Sequence, residues 1–156
     1  MRLREGARAV IFDQADRILL VRFTFPDLSL WATPGGGLDP GETHEQAVAR
    51  ELGEEAGLDE VVLGSWVWTR THMHPSLDGN WDGQRDRYFL VRTAAFEPAP
   101  RFTAEQLASE HVSAIRWWTQ HELAASEELF APRRLPELVA ALLRDGPPGE
   151  PIDVGV

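Results

Sequence analysis

Cysteine is absent from the 156 residues, so disulfide bonds and thiolate metal sites are excluded. Basic residues are scarce, with 15 Lys and Arg against 25 Asp and Glu, and the net charge of −10 argues against a broad footprint for duplex nucleic acid. No apolar run approaches the length of a membrane span, and the first residues show no sustained apolar segment. We therefore expect a cytoplasmic protein with neither a membrane nor a duplex nucleic-acid partner.

The remaining composition is that of one globular domain. Hydrophobic residues make up 43% of the chain and charged residues 26%. The pattern predicts a single domain over residues 1–145 and a flexible tail over 146–156, where proline and glycine are frequent. It also predicts a hairpin from the runs 7–12 and 17–23, a loop over 23–30, strands over 61–71 and 85–93, and a recognition loop over 72–84.

The most informative stretch runs from Gly36 to Leu58 and reads GGLDPGETHEQAVARELGEEAGL. Its second half has helical periodicity, which places Glu51, Glu54 and Glu55 on one face. Carboxylates at this spacing repel one another, and a bound cation removes the repulsion. Because carboxylate oxygens suit hard divalent ions, this face predicts a site for Mg²⁺ or Mn²⁺.

The spacing of the fixed residues resembles the Nudix box, G-x5-E-x7-R-E-U-x-E-E-x-G-U, where U is aliphatic. Every fixed position is filled between Gly36 and Leu58. The resemblance implies an α/β fold in which a mixed β-sheet is sandwiched between helices, an α/β/α sandwich. It also implies an enzyme that hydrolyses the diphosphate linkage between a nucleoside and another group.

The resemblance implies a role for each acidic residue of the box. Glu51, Glu54 and Glu55 would hold the metal ion together with a backbone carbonyl near Gly36. Glu51 and Glu54 would also take part directly in the chemistry.

Three residues around these ligands complete the implied site. Arg50 would orient the carboxylates through ion pairs, and Glu42 would act similarly or bind a further ion. A late acidic residue ahead of a tryptophan-containing strand completes the site in many family members, and Glu110 is our candidate. Either Glu54 or Glu110 would orient or deprotonate the attacking water.

Candidates for substrate binding come from residue type and position alone. Arginines on strands can clamp phosphates, and an aromatic residue near a glycine-rich loop can stack on a base. Each has a plain alternative as a solvated, ion-paired or core residue. The candidates are Arg22, Trp31, Arg70, Arg85 and Arg87.

The residues do not specify one substrate. A nucleoside triphosphate or a nucleotide sugar is the default expectation for this resemblance, and a homodimer is compatible with it. Two alternatives stay open: a Nudix module that senses a nucleotide without hydrolysing it, and an enzyme that removes pyrophosphate from the 5′ end of RNA.

Overall fold

The computed structural model describes residues 1–76 and 78–156, which form one mixed sheet with helices on both faces. The strands are β1 (Leu3–Phe12), β2 (Ile18–Phe25), β3 (Leu28–Ala32), β4 (Gly35–Gly37), β5 (Trp66–His72), β6 (Gly83–Arg92), β7 (Val112–Trp118), β8 (Phe130–Ala131) and β9 (Ile152–Asp153). The helices are α1 (His44–Ala56), α2 (Ala104–Ser109), α3 (Gln120–Ala125) and α4 (Leu135–Asp145). Within the described part of the chain, no helix has both the length and the apolar character needed to cross a bilayer.

The sheet is ordered β8-β3-β2-β1-β6-β5-β9, with β4 added to β1 and β7 added to β2. The central pair, β1 and β6, is parallel, and most other pairs are antiparallel. Helix α1 packs on one face through buried residues such as Val48 and Leu52. Helices α3 and α4 pack on the other face through Leu123, Leu135 and Val139. The predicted α/β/α arrangement is confirmed.

Strands β1 and β2 separate soon after the turn that joins them. They share only the register pair Phe12 and Ile18. Beyond that point β1 pairs with the glycine strand β4, whereas β2 pairs with β3 and β7. The divergence leaves a cleft between the two parts of the sheet, which the functional residues line.

Helix α1 begins and ends where local sequence chemistry requires. Thr43 caps the N-terminus by accepting a hydrogen bond from the Gln46 amide at 3.1 Å, and the Gln46 side chain accepts one from the Thr43 amide at 3.0 Å. Gly57 ends the helix with a φ of 74°, a conformation that glycine adopts without steric cost. Both ends of the helix are therefore set by residues within or next to it in the sequence.

The loop predicted over residues 23–30 is wrong, since these residues form a second hairpin. Strand β2 continues to Phe25, β3 begins at Leu28, and Phe25 pairs with Leu28 across a two-residue turn. Pro26 occupies the turn, where proline is compatible with the backbone. Residues 61–65, predicted as strand, precede β5 rather than belonging to it.

The flexible tail predicted over 146–156 also needs correction. Strand β9 pairs in parallel with β5, and Val154 belongs to the hydrophobic core with 9% of its surface exposed. The carbonyl of Val156 accepts a hydrogen bond from the Arg133 amide at 2.9 Å. The segment 146–156, with its prolines and glycines, returns to the sheet, so the domain includes these last residues.

The turn between β1 and β2 depends on the carboxylate of Asp13, which is 1% exposed. Burial disfavours its charged form, yet the Arg17 amide at 2.9 Å, the Arg17 guanidinium at 2.7 Å and the Ala15 amide at 3.0 Å hold the pKa below its usual value. A lowered carboxyl pKa stabilises the fold above the unfolded pKa of about 3.9 and loses that contribution as pH falls through the folded value.

We expect Asp13→Asn to destabilise the protein by about 2 kcal/mol at neutral pH and to flatten the acid side of its stability curve. Urea unfolding between pH 3 and pH 7 measures both effects. Asp145→Asn is the matched control, because the Asp145 side chain is 62% exposed. A steep acid limb retained in Asp13→Asn would contradict this assignment.

Candidate functional site

The glycine strand and helix α1 form the walls of a polar cleft of about 370 Å³, here named the carboxylate cleft. Strand β4 supplies backbone, α1 supplies acidic side chains, and α2 adds a further carboxylate from the other side. The lining includes Gly35, Gly36, Gly37, Glu51, Glu54, Glu55 and Glu110, with Arg4, Arg8 and Arg50 among the basic residues. The acidic candidates that were separated by 55 residues in sequence therefore meet at one place.

Glu55 is the most deeply placed of these carboxylates, with 4% of its surface exposed. It accepts a hydrogen bond from the Gly35 amide at 2.9 Å. Burial and the neighbouring charge of Glu51 raise the pKa of Glu55 well above its usual value, although the Gly35 amide and Arg8 oppose this. The site therefore has an excess of negative charge that its own hydrogen bonds do not fully balance.

Glu51 lies between the glycine strand and Arg50. Its Oε1 accepts a hydrogen bond from Arg50 Nη1 at 3.1 Å, and a Cβ added to Gly36 would be 2.7 Å from the same oxygen. Burial raises the pKa of Glu51, and the guanidinium of Arg50 acts in the opposite direction. Glycine at position 36 thus lets a carboxylate approach the backbone closely.

Arg50 connects the remaining acids of the box. Its Nε and Nη2 bind both oxygens of Glu42 at 2.8 and 2.9 Å, and its Nη1 also donates to Glu54 at 3.2 Å. Hydrogen bonding to Arg50 lowers the pKa of Glu42. The Gly37 carbonyl accepts a further bond from Nη2 at 3.2 Å. This geometry has the form expected of a residue that orients the carboxylates.

The chemistry of this donor set suits a divalent cation. The oxygens belong to carboxylates and to a tight glycine backbone, which are ligands for Mg²⁺ and Mn²⁺. Across residues 1–76 and 78–156 no three acidic or histidine side chains are already drawn around one point. The single guanidinium of Arg50 donates hydrogen bonds to both Glu51 and Glu54, so its one positive charge is shared between them.

Glu110 reaches the cleft from the opposite wall. It ends α2, whose own start is fixed by a capping box between Thr103 and Gln106. The segment before α2 is held against α1 by hydrogen bonds from the Ala99 amide to the Ala56 carbonyl and from the Phe102 amide to the Glu54 carbonyl. These contacts bring an exposed carboxylate to face those of α1.

A second cavity of about 650 Å³ opens beside the carboxylate cleft and is here named the aromatic cavity. Its apolar lining comes from β2, β3 and the turn between them, and its polar lining from β1, β5 and β6. The residues include Phe23, Phe25, Leu28, Leu30, Arg8, Arg70, His72, Tyr88 and Glu110. Phe23, Glu110 and Arg8 line both cavities, so the two are continuous.

The segment between β5 and β6 borders a third cavity of about 720 Å³, which shares residues with both the carboxylate cleft and the aromatic cavity. His72, His74 and Trp81 line it together with Arg4, which also lines the carboxylate cleft. Burial lowers the pKa of His72. A recognition role for 72–84 stays a prediction, and Leu77 of that range lies outside the described residues.

The comparison with known proteins gives the family. The model of the NUDIX domain matches residues 2–140. The chain belongs to the Nudix family. The resemblance of the stretch Gly36 to Leu58 to the Nudix box is thereby confirmed.

Individual relatives agree with this family. An RNA pyrophosphohydrolase of Rickettsia bellii is 33% identical over 96 residues, which are 57% of this chain and 60% of that protein. An RNA pyrophosphohydrolase of Rhizobium meliloti is 33% identical over 120 residues, 72% of each chain. The crystal structure of a MutT NUDIX hydrolase from Burkholderia pseudomallei has a TM-score of 0.62 at 25% identity and covers 87% of this chain and 96% of its own.

Two of the predicted substrate-binding residues of this Nudix domain, Trp31 and Arg22, line none of the three cavities described above. Trp31 is 6% exposed and packs edge-to-face on Trp118 with ring centroids 5.2 Å apart, so it is not available to stack on a base. Arg22 pairs across the sheet with Trp31 and Ala114. Because side chains alternate along a strand, Arg22 points away from the face on which Phe23 lines both cavities.

The side chains of Arg85 and Arg87 also point away from the cavities, because side chains alternate along a strand. They alternate with Gln84 and Tyr88 on β6, and those two residues line the cavities. Arg85 pairs with both oxygens of Glu5 at 3.1 Å. Arg87 lies over the ring of Trp66, 4.2 Å from its centroid. Of the four predicted strand arginines, Arg70 alone lines one of the three cavities described above.

Sequence reasoning missed Arg8, which lines both the carboxylate cleft and the aromatic cavity of the Nudix domain. Its run, GARAV, is typical of a strand, and alternation alone does not show which face of a strand borders a cleft. The signal available in sequence was a single charge inside an otherwise apolar strand, which needs either solvent or a buried partner.

Proposed function

We propose that this Nudix protein hydrolyses the diphosphate linkage of a nucleoside diphosphate derivative by attack of water on phosphorus. One observation carries the proposal: the buried and partly buried carboxylates of Glu51, Glu54 and Glu55 line one cleft beside the glycine strand, and the lining of that cleft has five carboxylates but three arginines. Nudix hydrolases generally use divalent metal ions. Mg²⁺ or Mn²⁺ fits the donor set, with Glu51, Glu54, Glu55 and the backbone near Gly36 as its ligands.

When bound, the cation supplies positive charge to the phosphate oxygens as the leaving group gains negative charge. The protein residues supply position and proton transfer. Arg50 donates hydrogen bonds to Glu51 and Glu54 and so fixes their positions. A hydrogen bond to Glu42 fixes the position of Arg50 itself. Glu54 and Glu110 both line the cleft, and either carboxylate can accept a proton from an attacking water.

The aromatic cavity supports a nucleotide as the substrate class. Phe23 and Phe25 offer apolar ring faces, and Arg70 offers positive charge at the same cavity. A nucleoside triphosphate or a nucleotide sugar fits this combination, with the diphosphate extending into the carboxylate cleft. The names of the two RNA pyrophosphohydrolases support a second candidate, the triphosphorylated 5′ end of RNA.

The first test is a phosphate-release screen with Mg²⁺ and with Mn²⁺ across nucleoside triphosphates, nucleotide sugars, dinucleoside polyphosphates, coenzyme A and a short 5′-triphosphorylated RNA. Cleavage of one class identifies the substrate. Release from RNA that weakens steeply with salt would favour the second candidate. No cleavage, together with a raised melting temperature in the presence of the same compounds, would instead indicate a nucleotide-sensing module.

Metal dependence has a readout that does not need turnover. We expect Mg²⁺ or Mn²⁺ at several times its Kd to raise the melting temperature by a few degrees, because the cation relieves repulsion between carboxylates. EDTA should reverse the shift and abolish hydrolysis. Glu55→Gln should lose most of the shift, whereas Glu45→Gln, an exposed residue in the first turn of the same helix, should keep it. An equal shift in both variants would contradict the proposed ligand set.

A further inference from the structure

Arg8 occupies the boundary between the two continuous cavities. Strand β1 carries it to the place where the carboxylate cleft meets the aromatic cavity, and its side chain is 16% exposed. A substrate with its ring in the aromatic cavity and its scissile diphosphate in the carboxylate cleft has to pass this guanidinium. Arg8 is therefore placed to contact the group that joins the ring to the diphosphate.

The guanidinium is held rigidly. Its Nε donates to Asp86 Oδ2 at 3.0 Å, and its Nη1 donates to the Thr33 carbonyl at 2.9 Å. Asp86 is fully buried, and its other oxygen accepts a hydrogen bond from Gln84 Nε2 at 2.6 Å. The remaining nitrogen, Nη2, donates to no residue of the described ranges, which leaves one planar edge of the cation for a ligand.

Stability alone does not account for this arrangement. A buried ion pair costs desolvation energy, and well-packed apolar residues often replace one without loss. Glycine at position 6 leaves space for the Asp86 carboxylate, because a Cβ there would collide with it. A fixed cation with a free donor edge is instead a preorganised anion site.

A second arginine strengthens the positive field at the same cavity. Arg70 lines the aromatic cavity, and its buried Nε has no hydrogen-bond partner among the described residues. Tyr88 lines the cavity beside the two arginines. Burial and the charge of Asp86 raise the pKa of the Tyr88 phenol to about 12, although both arginines and a hydrogen bond to Arg70 act in the opposite direction, so the phenol adds no negative charge at neutral pH.

We propose that Arg8 is a specificity-determining residue that binds the phosphoryl group attached directly to the moiety in the aromatic cavity. The proposal rests on the proposed function for its orientation of the substrate. It assigns the substrate class as a 5′-phosphorylated nucleoside whose first phosphate is recognised by the protein itself, independently of any metal. Asp86 positions Arg8, and Arg70 contributes the second charge.

The test measures binding in EDTA, so that it does not depend on hydrolysis. The probes are the four common nucleoside 5′-monophosphates, each compared with its unphosphorylated nucleoside by calorimetry. We expect the wild-type protein to bind at least one monophosphate about tenfold or more tightly than its nucleoside. Arg8→Gln/Asp86→Asn should lose this preference, since the pair stays hydrogen-bonded while both charges are removed.

Further variants separate recognition from folding. Arg8→Lys should recover part of the preference because charge is kept without the planar edge. Arg92→Gln is the control, since Arg92 lies on β6 and pairs with the exposed Asp16 at 2.6 Å. With the substrate found by the screen, the Arg8 double variant should raise KM about tenfold with a smaller change in kcat.

Two outcomes would overturn the proposal. One is a wild-type protein that binds monophosphates no better than nucleosides, and the other is a double variant that folds and keeps the preference. Neither depends on catalysis, so an inactive protein with an intact, Arg8-dependent phosphate preference would reject the proposed hydrolysis and support the role of Arg8.

Discussion

Glu54→Gln is expected to lower kcat by about 10³-fold or more while leaving the fold intact. Glutamine has nearly the same shape, so it preserves the helix and the packing of α1. It cannot carry the negative charge that the proposed function requires of Glu54 for holding a cation or accepting a proton. The Glu54 side chain is 23% exposed and faces the cleft, so the substitution disturbs little of the core.

The measurement for Glu54→Gln is kcat and KM on the substrate that the screen identifies, with Mg²⁺ and with Mn²⁺, beside a thermal melt. Glu45→Gln again serves as the control on the same helix. Glu110→Gln runs in parallel, and a larger loss there than at Glu54 would assign proton transfer to Glu110. Full activity of Glu54→Gln with Mg²⁺ present would reject the assignment of Glu54 as a catalytic residue.

Gly35→Ala is expected to destabilise the protein by about 4 kcal/mol, which corresponds to a fall of about 10 °C or more in Tm. Gly35 has a φ of 139°, and a Cβ there would collide with the Ala7 carbonyl and with Arg8. The backbone of β1 would have to move, together with the amide that binds Glu55. Stability and the position of the deepest carboxylate should therefore be lost together.

Gly41→Ala separates the two causes of the Gly35 effect. Gly41 also has a positive φ, 81°, but a Cβ there meets no atom within 4 Å. It should cost only about 1 kcal/mol, the strain of the left-handed conformation alone. Urea unfolding of both variants measures the difference, and equal losses would show that the close approach of β4 to β1 contributes nothing.

The parts of the fold that depend on local chemistry could be predicted from the sequence. Helix α1 is one, because Thr43, Gln46 and Gly57 define its ends through neighbours close in the chain. The acidic face of the site follows from the same helix. Glu110 lines the same cleft, and its predicted role there stays a prediction, because its position relative to the other acids depends on how α2 packs.

The parts that depend on pairing partners could not be predicted. Whether Arg70 or Arg87 faces a cavity is decided by the register of β5 against β6, which pairs Thr69 with Arg87 and Arg70 with Asp86. Strand β9 has only two residues, too few for a periodic signal, and it forms because β5 offers an open edge. The cleft itself arises from the divergence of β1 and β2, which no local pattern encodes.

Gly53 is buried in the middle of α1, where glycine costs about 1 kcal/mol relative to alanine. The guanidinium of Arg101 lies directly over it, in the space that a Cβ would fill, and pairs with Asp59 at 2.7 Å. The segment that carries Glu110 therefore crosses α1 at position 53, where the absence of a side chain leaves space for Arg101. Positions 53 and 101 are thus expected to change together among relatives of this chain: a larger residue at 53 requires a shorter one at 101. We expect relatives with this pair of residues to place the acidic residue at the end of α2 against the Nudix box in the same way.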